Sequence, residues 1–346
     1  MEDKIYYNAI AIGTGGNYAD IAIWAARLGT WKEKFIAFRQ SGFSGSSIDP
    51  EAEWKKTEKL GLNLILIGDP DYPPLLREIS QPPFGIYVLG HGPLAIGNSA
   101  LAIVGTRRAT PDGKSTAKRF ARELAAAGFT IASGLAFGID AAAHEGCLEG
   151  GGRTVAVLAG GLDGVYPRSN HTLAEKILAR GGALISEYPI GQPPHASRFL
   201  ERNRVVSGLS RGTLVIEAPE KSGSLVTARH AFEQNRNLFV VPGPITHRNF
   251  KASHELIRQG AELVAEPRHI MEAYGVSATS NLSLPTSNLS TEEKLILSAL
   301  QVLGEPAEVD KLADITKLEP RIVNQTITFL LIRHLVKETE NGYIMN

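Results

Sequence analysis

LAIVGTRRATPDGKSTAKRFARELAAAGFTIASGLAFGID, residues 101–140, holds the turn from which the rest of the fold can be read. Residues 101–104 are a short continuous apolar run, the pattern of a strand buried on both faces of a parallel sheet. Gly105 follows at once, and a helical stretch at 114–127 comes next. From Arg107 to Arg122 six basic residues stand against Asp112 alone. A strand-to-helix turn presents unpaired backbone N–H groups and the positive end of a helix dipole, so an anion is the expected ligand.

The same alternation continues to about residue 275. Further strands are expected at 130–133, 154–158, 183–186, 213–217, 238–241 and 262–264, with helices at 139–148, 171–180, 199–210, 225–235 and 253–259. Repeated βα units with apolar strands predict an α/β fold, a doubly wound and mostly parallel sheet. Ligands of such sheets sit beyond the carboxyl ends of the strands. The 346 residues leave room for small domains on either side. Net charge is zero, so a polyanion site must come from local clustering. The single cysteine, Cys147, excludes an intrachain disulfide and a cysteine-rich zinc site. The longest apolar runs are far too short to span a bilayer and MEDKIYY has no signal-peptide pattern, so no membrane association and a cytoplasmic location are expected.

Residues 1–65 read as a small helical domain containing a decoy. NAIAIGTGGNYADIAIWAARLG resembles an apolar strand, a glycine turn and a helix, but Tyr18 occupies the third glycine position of a dinucleotide fingerprint and no acidic residue ends a second strand at the required distance. A strand at 62–67 and a proline-rich connector, DPDYPPLLREISQPPFGIYVLGHGP, lead into the main domain, taken as 66–278. Residues 279–289 form a linker by composition. Residues 290–346 read as three helices and a hairpin, a winged helix. Its six Lys or Arg against nine Asp or Glu favour a protein-contacting or regulatory role over strong phosphate neutralisation.

Each strand end in the main domain delivers polar or glycine residues to one edge. The first gives Gly105, Thr106 and Arg107, the second Ser133 and Gly134, and the third Gly160, Gly161 and Asp163, followed by YPRSN. PPHASRFLERNRVVSGLSRG adds four arginines against Glu201. Ser222, Gly223, Ser224 and Thr227 lie in a hydroxyl-rich turn opening a helix, where backbone N–H groups and hydroxyls can cradle a phosphate. Singly these are turns, caps and solvated surface; parallel topology brings them together as a site for a polyanion or a nucleotide phosphate. Asp140 and His144, at i and i+4, could pair as acid and base, but with no nucleophile in evidence hydrogen bonding to neighbouring loops is the favoured role. Walker, HExxH and two-metal carboxylate patterns are all missing. The alternative is a nucleotide-processing, phosphoribohydrolase-like enzyme with Glu217 as its carboxylate, although the usual PGGxGTxxE-type loop is absent.

SGLAFGIDAAAHEGCL, TVAVLAGGLDGVYPRSN, SEYPIGQPPHASRFLERNRVVSGLS, VIEAPEKSGSLVTARHAFEQNRNLFVVPGPI and LIRQGAELV, in that order, resemble the DprA (Smf) family of DNA-processing proteins over about residues 70–275. The resemblance implies an extended Rossmann-like domain, often flanked by an N-terminal helical (SAM- or helix-hairpin-like) domain and a C-terminal winged helix. It also implies a non-enzymatic protein without cofactor or metal that binds single-stranded DNA, dimerises and loads the RecA recombinase in natural transformation. Carried over by motif, the phosphate loop is Gly105, Thr106 and Arg107. Arg168 is the basic residue of the YP-basic-x-N turn, with Asn170 beside it and His171 where a ring could stack on a base. Phe199, Arg202, Asn203 and Arg204 form the FxxRNR segment expected to line the basic pocket. Phe137 stands where the family commonly has arginine.

Overall fold

The structure, a computed structural model, describes residues 1–43, 47–91, 99–276, 290–332, 335–339 and 341–345. It divides into two compact units, Met1–Asn281 and Leu282–Asn346.

The first unit opens with four helices: α1 (Glu2–Gly13), α2 (Tyr18–Ala25), α3 (Trp31–Gln40) and α4 (Pro50–Lys59). The strand suggested by residues 8–12 is the last part of α1. Ile5, Tyr7, Asn8, Ala9, Ile10 and Ala11 are all buried, because α1 is covered on more than one side, and a helix so covered looks apolar without alternation. Tyr7 meets Trp31 edge-on at 4.9 Å, and the Tyr87 hydroxyl donates to Asn8 Oδ1 at 2.8 Å, so the helices are seated on the sheet.

Then come β1 (Asn63–Leu66), the short α5 (Pro74–Arg77), β2 (Gly85–Gly90), β3 (Ala100–Val104), α6 (Pro111–Ala126), β4 (Thr130–Ser133), α7 (Ile139–Glu149), β5 (Thr154–Leu158), α8 (His171–Ala179), β6 (Ala183–Ser186), α9 (Ala196–Gly208), β7 (Gly212–Val215), α10 (Gly223–Glu233), β8 (Asn237–Val240), α11 (Lys251–Arg258), β9 (Glu262–Leu263) and α12 (Pro267–Ala273). All nine strands form one sheet, ordered β1-β2-β6-β5-β4-β3-β7-β8-β9. It is parallel from β6 to β9, whereas β1 pairs antiparallel with β2 and β2 antiparallel with β6. The connector was expected to hold only turns. GIYVLG within it is instead β2, which the flanking prolines and glycines concealed.

All of β3 is buried, and its alternation divides it between two cores. Leu101 and Ile103 pack with Phe120 and Leu124 of α6. Ala102 and Val104 pack with Val205 and Val206 of α9 on the other face. Successive strands run from β3 outward to β6, then the chain returns to β3's other side as β7. This reversal leaves a crevice beyond the carboxyl ends of β3 and β7, where ligands of such sheets bind.

The second unit is α13 (Thr291–Leu303), α14 (Val309–Thr316), α15 (Pro320–Ile332) and a hairpin of β10 (Val336–Thr339) and β11 (Gly342–Met345). That order is compatible with the expected winged helix. Ser290 caps α13 in a box with Glu293. The expected linker lies outside the described residues. Among the described residues no helix is long and apolar enough to cross a membrane.

Candidate nucleic-acid interface

A cleft of about 500 Å³ occupies the β3/β7 crevice. Gly105, Thr106, Arg107 and Arg108 form one wall, and Lys221, Ser222, Gly223, Ser224 and Thr227 another. Asn203, Arg248 and Asn249 also face it. Basic side chains outnumber acidic ones five to one along this lining, counting Arg107, Arg108, Arg202, Lys221 and Arg248 against Asp140.

A buried carboxylate shapes the walls. Glu217 is fully buried just after β7. Thr110 donates to it through its N–H at 3.1 Å and its hydroxyl at 2.5 Å, and Asn249 through Nδ2 at 2.8 Å. The Glu217 carbonyl accepts from the Thr106 N–H at 2.8 Å. Glu217 thus anchors the 105–110 turn, and its buried oxygens are committed to the protein rather than offered to a substrate. Ser222 caps α10 by accepting from the Ser224 N–H at 3.2 Å, which leaves a hydroxyl-rich helix N-terminus at the cleft.

A second cleft, about 370 Å³, adjoins the first and shares Gly134, Phe199 and Arg202 with it. Its other lining residues include Gly160, Gly161, Tyr166, residues 191–194 and one charge of each sign, Asp163 and Arg168. Phe199 is the divider. The Arg107 guanidinium lies 4.7 Å over its ring, and the half-exposed Tyr166 sits 5.6 Å away, tilted. Exposed aromatics had no clear sequence signal; Tyr166 was legible only as part of the YPRSN turn. Arg108 faces the cleft beside Arg107, whereas Lys221, Arg248 and Asn249 were missed, the last two because they lie just beyond the VPGPI stretch that follows β8.

Arg202 and Arg204, two residues apart, part company. Arg202 is buried beneath both clefts, with Nη1 donating to the carbonyls of Gly134, at 2.8 Å, and Val157. A Cβ on Gly134 would fall 2.4 Å from this guanidinium, so glycine is needed there for space. Burial pulls the Arg202 pKa down to about 10, which still leaves it charged at neutral pH. Burial also lifts the Asp140 carboxyl, although the nearby Arg202 and the Gly134 and Ala136 N–H groups oppose that shift. Arg204, expected to line the basic pocket, is not among the lining residues of either cleft. It forms a buried double hydrogen-bonded pair with Glu187, at 2.6 and 2.8 Å. Burial would depress its pKa, and the Glu187 carboxylate more than offsets this and raises it.

Other expected site residues serve the scaffold. Ser133 is fully buried and donates to the Ile103 carbonyl at 2.7 Å. Asn170 donates to the Leu135 carbonyl at 2.9 Å, bracing a loop in which Leu135 takes a left-handed φ of 55°. Exposed His171 lies 3.7 Å from Glu175 and faces, with Arg168, a third depression beyond the second cleft. Asp140 and His144 do not pair: His144 Nδ1 meets the Thr154 hydroxyl at 2.7 Å in the core. Phe137 is half exposed.

Comparison with known proteins agrees with this architecture. Residues 63–275 match the family described as DNA recombination-mediator protein A. Protein Smf of Escherichia coli is 38% identical over 283 residues, 79% of this chain and 75% of that one. DNA processing protein DprA of Bacillus subtilis is 39% identical over 212 residues, 61% of this chain and 71% of its own length. The structure of DNA processing protein A from Streptococcus pneumoniae superposes with a TM-score of 0.62 at 30% identity, covering 78% of this chain and 92% of that chain. That from Helicobacter pylori, a study of its single-stranded DNA binding mode, gives 0.56 at 32%, covering 62% and 95%. The chain belongs to the DNA recombination-mediator protein A family.

Proposed function

We propose that the two clefts form one groove for single-stranded DNA, and that the protein is a non-catalytic mediator that hands the strand to the RecA recombinase in natural transformation or homologous recombination. A homodimer acting in the cytoplasm, with 290–346 as a protein-contacting module, completes the reading. The observation that carries it is the five-to-one excess of basic side chains contributed by four separate segments along one sheet edge. One phosphate needs a single such loop; a strand of linked phosphates needs several. Phe199, with Arg107 over its ring and Tyr166 tilted beside it, adds aromatic surface to that charge, the combination by which single strands are held without sequence preference.

Anisotropy titration of single-stranded and duplex oligonucleotides tests this. With about five phosphates engaged, log K should fall with log salt at a slope of about −3.5, so raising salt from about 50 to about 200 mM weakens binding about a hundredfold. Arg107→Ala should weaken binding about tenfold and reduce the slope by about 0.7. Equal affinity for duplex, or binding indifferent to salt, would sink the groove assignment.

A further inference from the structure

The turn between α1 and α2 lies against the segment that leads into α9. Gly15 and Gly16 take left-handed φ values of 63° and 72°, and a Cβ on Gly16 would come within 2.9 Å of the Tyr188 ring and 3.0 Å of Pro189. Arg198, the third residue of α9, secures this contact. Its Nη1 donates to the Pro193 carbonyl at 2.7 Å, and its Nη2 to the Gly15 carbonyl at 2.7 Å and to Gln192 Oε1 at 3.0 Å. The guanidinium also lies 4.7 Å over the Tyr188 ring. Three of its five N–H donors are thus given to protein acceptors, and Arg198 lines neither cleft. Gln192, Pro193 and Pro194, however, form a wall of the second cleft. The far side of that wall is tied as well, by the Gly161 N–H to the Gln192 carbonyl at 2.9 Å and the Gly191 N–H to Asp163 Oδ2 at 3.0 Å.

We infer that Arg198 is a positioning residue for the groove: it uses the Gly13–Tyr18 turn of the N-terminal helices as a fixed point from which to hold the 191–194 wall at the width a DNA strand requires. The inference rests on the single-stranded DNA reading of the groove. Preorganising a glycine- and proline-bearing wall lowers the ordering cost of binding without adding a contact to the ligand. It also gives the decoy glycine turn a function that involves no nucleotide.

The test uses full-length Arg198→Ala, Arg198→Lys and Gly16→Ala, the last disturbing the same contact from the opposite side. Single-stranded oligonucleotide affinity is measured across salt, and amide exchange is followed over 188–195. All three variants should bind about five- to tenfold more weakly with an unchanged salt slope, and the Gly191 amide, hydrogen-bonded to Asp163, should exchange faster. Lysine should not rescue, because it supplies the charge without the planar fork. A slope reduced by about 0.7 in Arg198→Ala and restored by lysine would make Arg198 a phosphate ligand and overturn the proposal. Unchanged affinity or unchanged exchange would overturn it too. A wild-type protein that fails to bind single strands would remove the groove reading instead, while the exchange data would still report whether Arg198 holds the wall.

Discussion

The turns GTGGNY, 13–18, and GTRRAT, 105–110, look alike in sequence, each joining an apolar run to a helix, and the structure gives them opposite polarity. The first closes α1, so carbonyls dominate it: the Gly15 and Gly16 N–H groups are turned back onto Ile12 and Ala11. The Gly15 carbonyl then accepts from Arg198, a cation at a helix C-terminus. The second follows strand β3 and leads into α6: Arg107 and Arg108 face the crevice, while the start of α6 is taken up by Thr110 donating to Glu217. What a glycine turn presents therefore depends on which kind of element ends there, carbonyls for a guanidinium at 13–18 and arginines toward a cleft at 105–110, not on the glycines.

The strongest way to break this contrast is at Gly138, the residue that backs the arginine turn. It sits at φ 80°, ψ −120°, and a Cβ there would lie 2.4 Å from the Thr106 carbonyl oxygen and 2.8 Å from that of Arg107. Gly138→Ala should cost about 3 to 5 kcal/mol in urea unfolding, from combined backbone strain and clash. A loss under about 1 kcal/mol would mean that the turn is not rigidly held. Next comes Glu217→Gln, which replaces one acceptor oxygen by an NH2 group among the donors of Thr110 and Asn249. About 2 to 3 kcal/mol should go, with weakened oligonucleotide binding as the 105–110 turn shifts. Native stability in this variant would show that the anchor is dispensable.

Much of this was readable in advance, for identifiable reasons. The parallel strands are buried on both faces, so 101–104, 130–133 and 154–158 show as uninterrupted apolar runs, and their topology placed the crevice. β2 escaped because Pro82, Pro83 and Gly85 read as punctuation, and α1 because a helix buried on several sides loses its period. At the site, motifs located Arg107, Phe199 and Arg202. They could not separate Arg202 from Arg204, because residues two apart on a helix point in different directions and the partner that claims Arg204, Glu187, comes from another element. Nor could residue type distinguish Ser133, which braces β3, from a serine that faces a ligand.

Acid should separate the two turns next. His144, on the helix that Gly138 opens, has its pKa lowered to about 3 by burial and by the nearby Arg202. Thr154 donates its hydroxyl to the Ile131 carbonyl and so accepts from His144 Nδ1–H, leaving Nε2 bare and unpartnered. The unfolded chain binds this proton near pH 6.5 and the folded one does not, so stability is complete above that pH and falls as pH drops toward 3. From pH 7 to pH 5 the loss should be about 2 kcal/mol, read from urea midpoints, and His144→Asn should flatten it. The raised Asp140 pKa acts in the opposite sense just above the ordinary carboxylate value, where the folded state takes up that proton first. A profile identical in the His144→Asn variant would locate the acid sensitivity elsewhere.

The smallest effect belongs to the first turn. A Cβ on Gly15 would meet only Gln192 Oε1 at 3.5 Å and Arg198 Nη2 at 3.8 Å, ordinary contact distances. Gly15→Ala should therefore cost only the left-handed backbone preference, about 1 kcal/mol. Because the Gly15 carbonyl still accepts from Arg198, single-strand affinity should stay within about twofold of wild type, below the resolution of a 1 kcal/mol change in binding. If Gly15→Ala instead matched Gly138→Ala in cost, the two turns would be equally constrained, and the difference between them would lie in the polarity of the groups they present rather than in how tightly each is held.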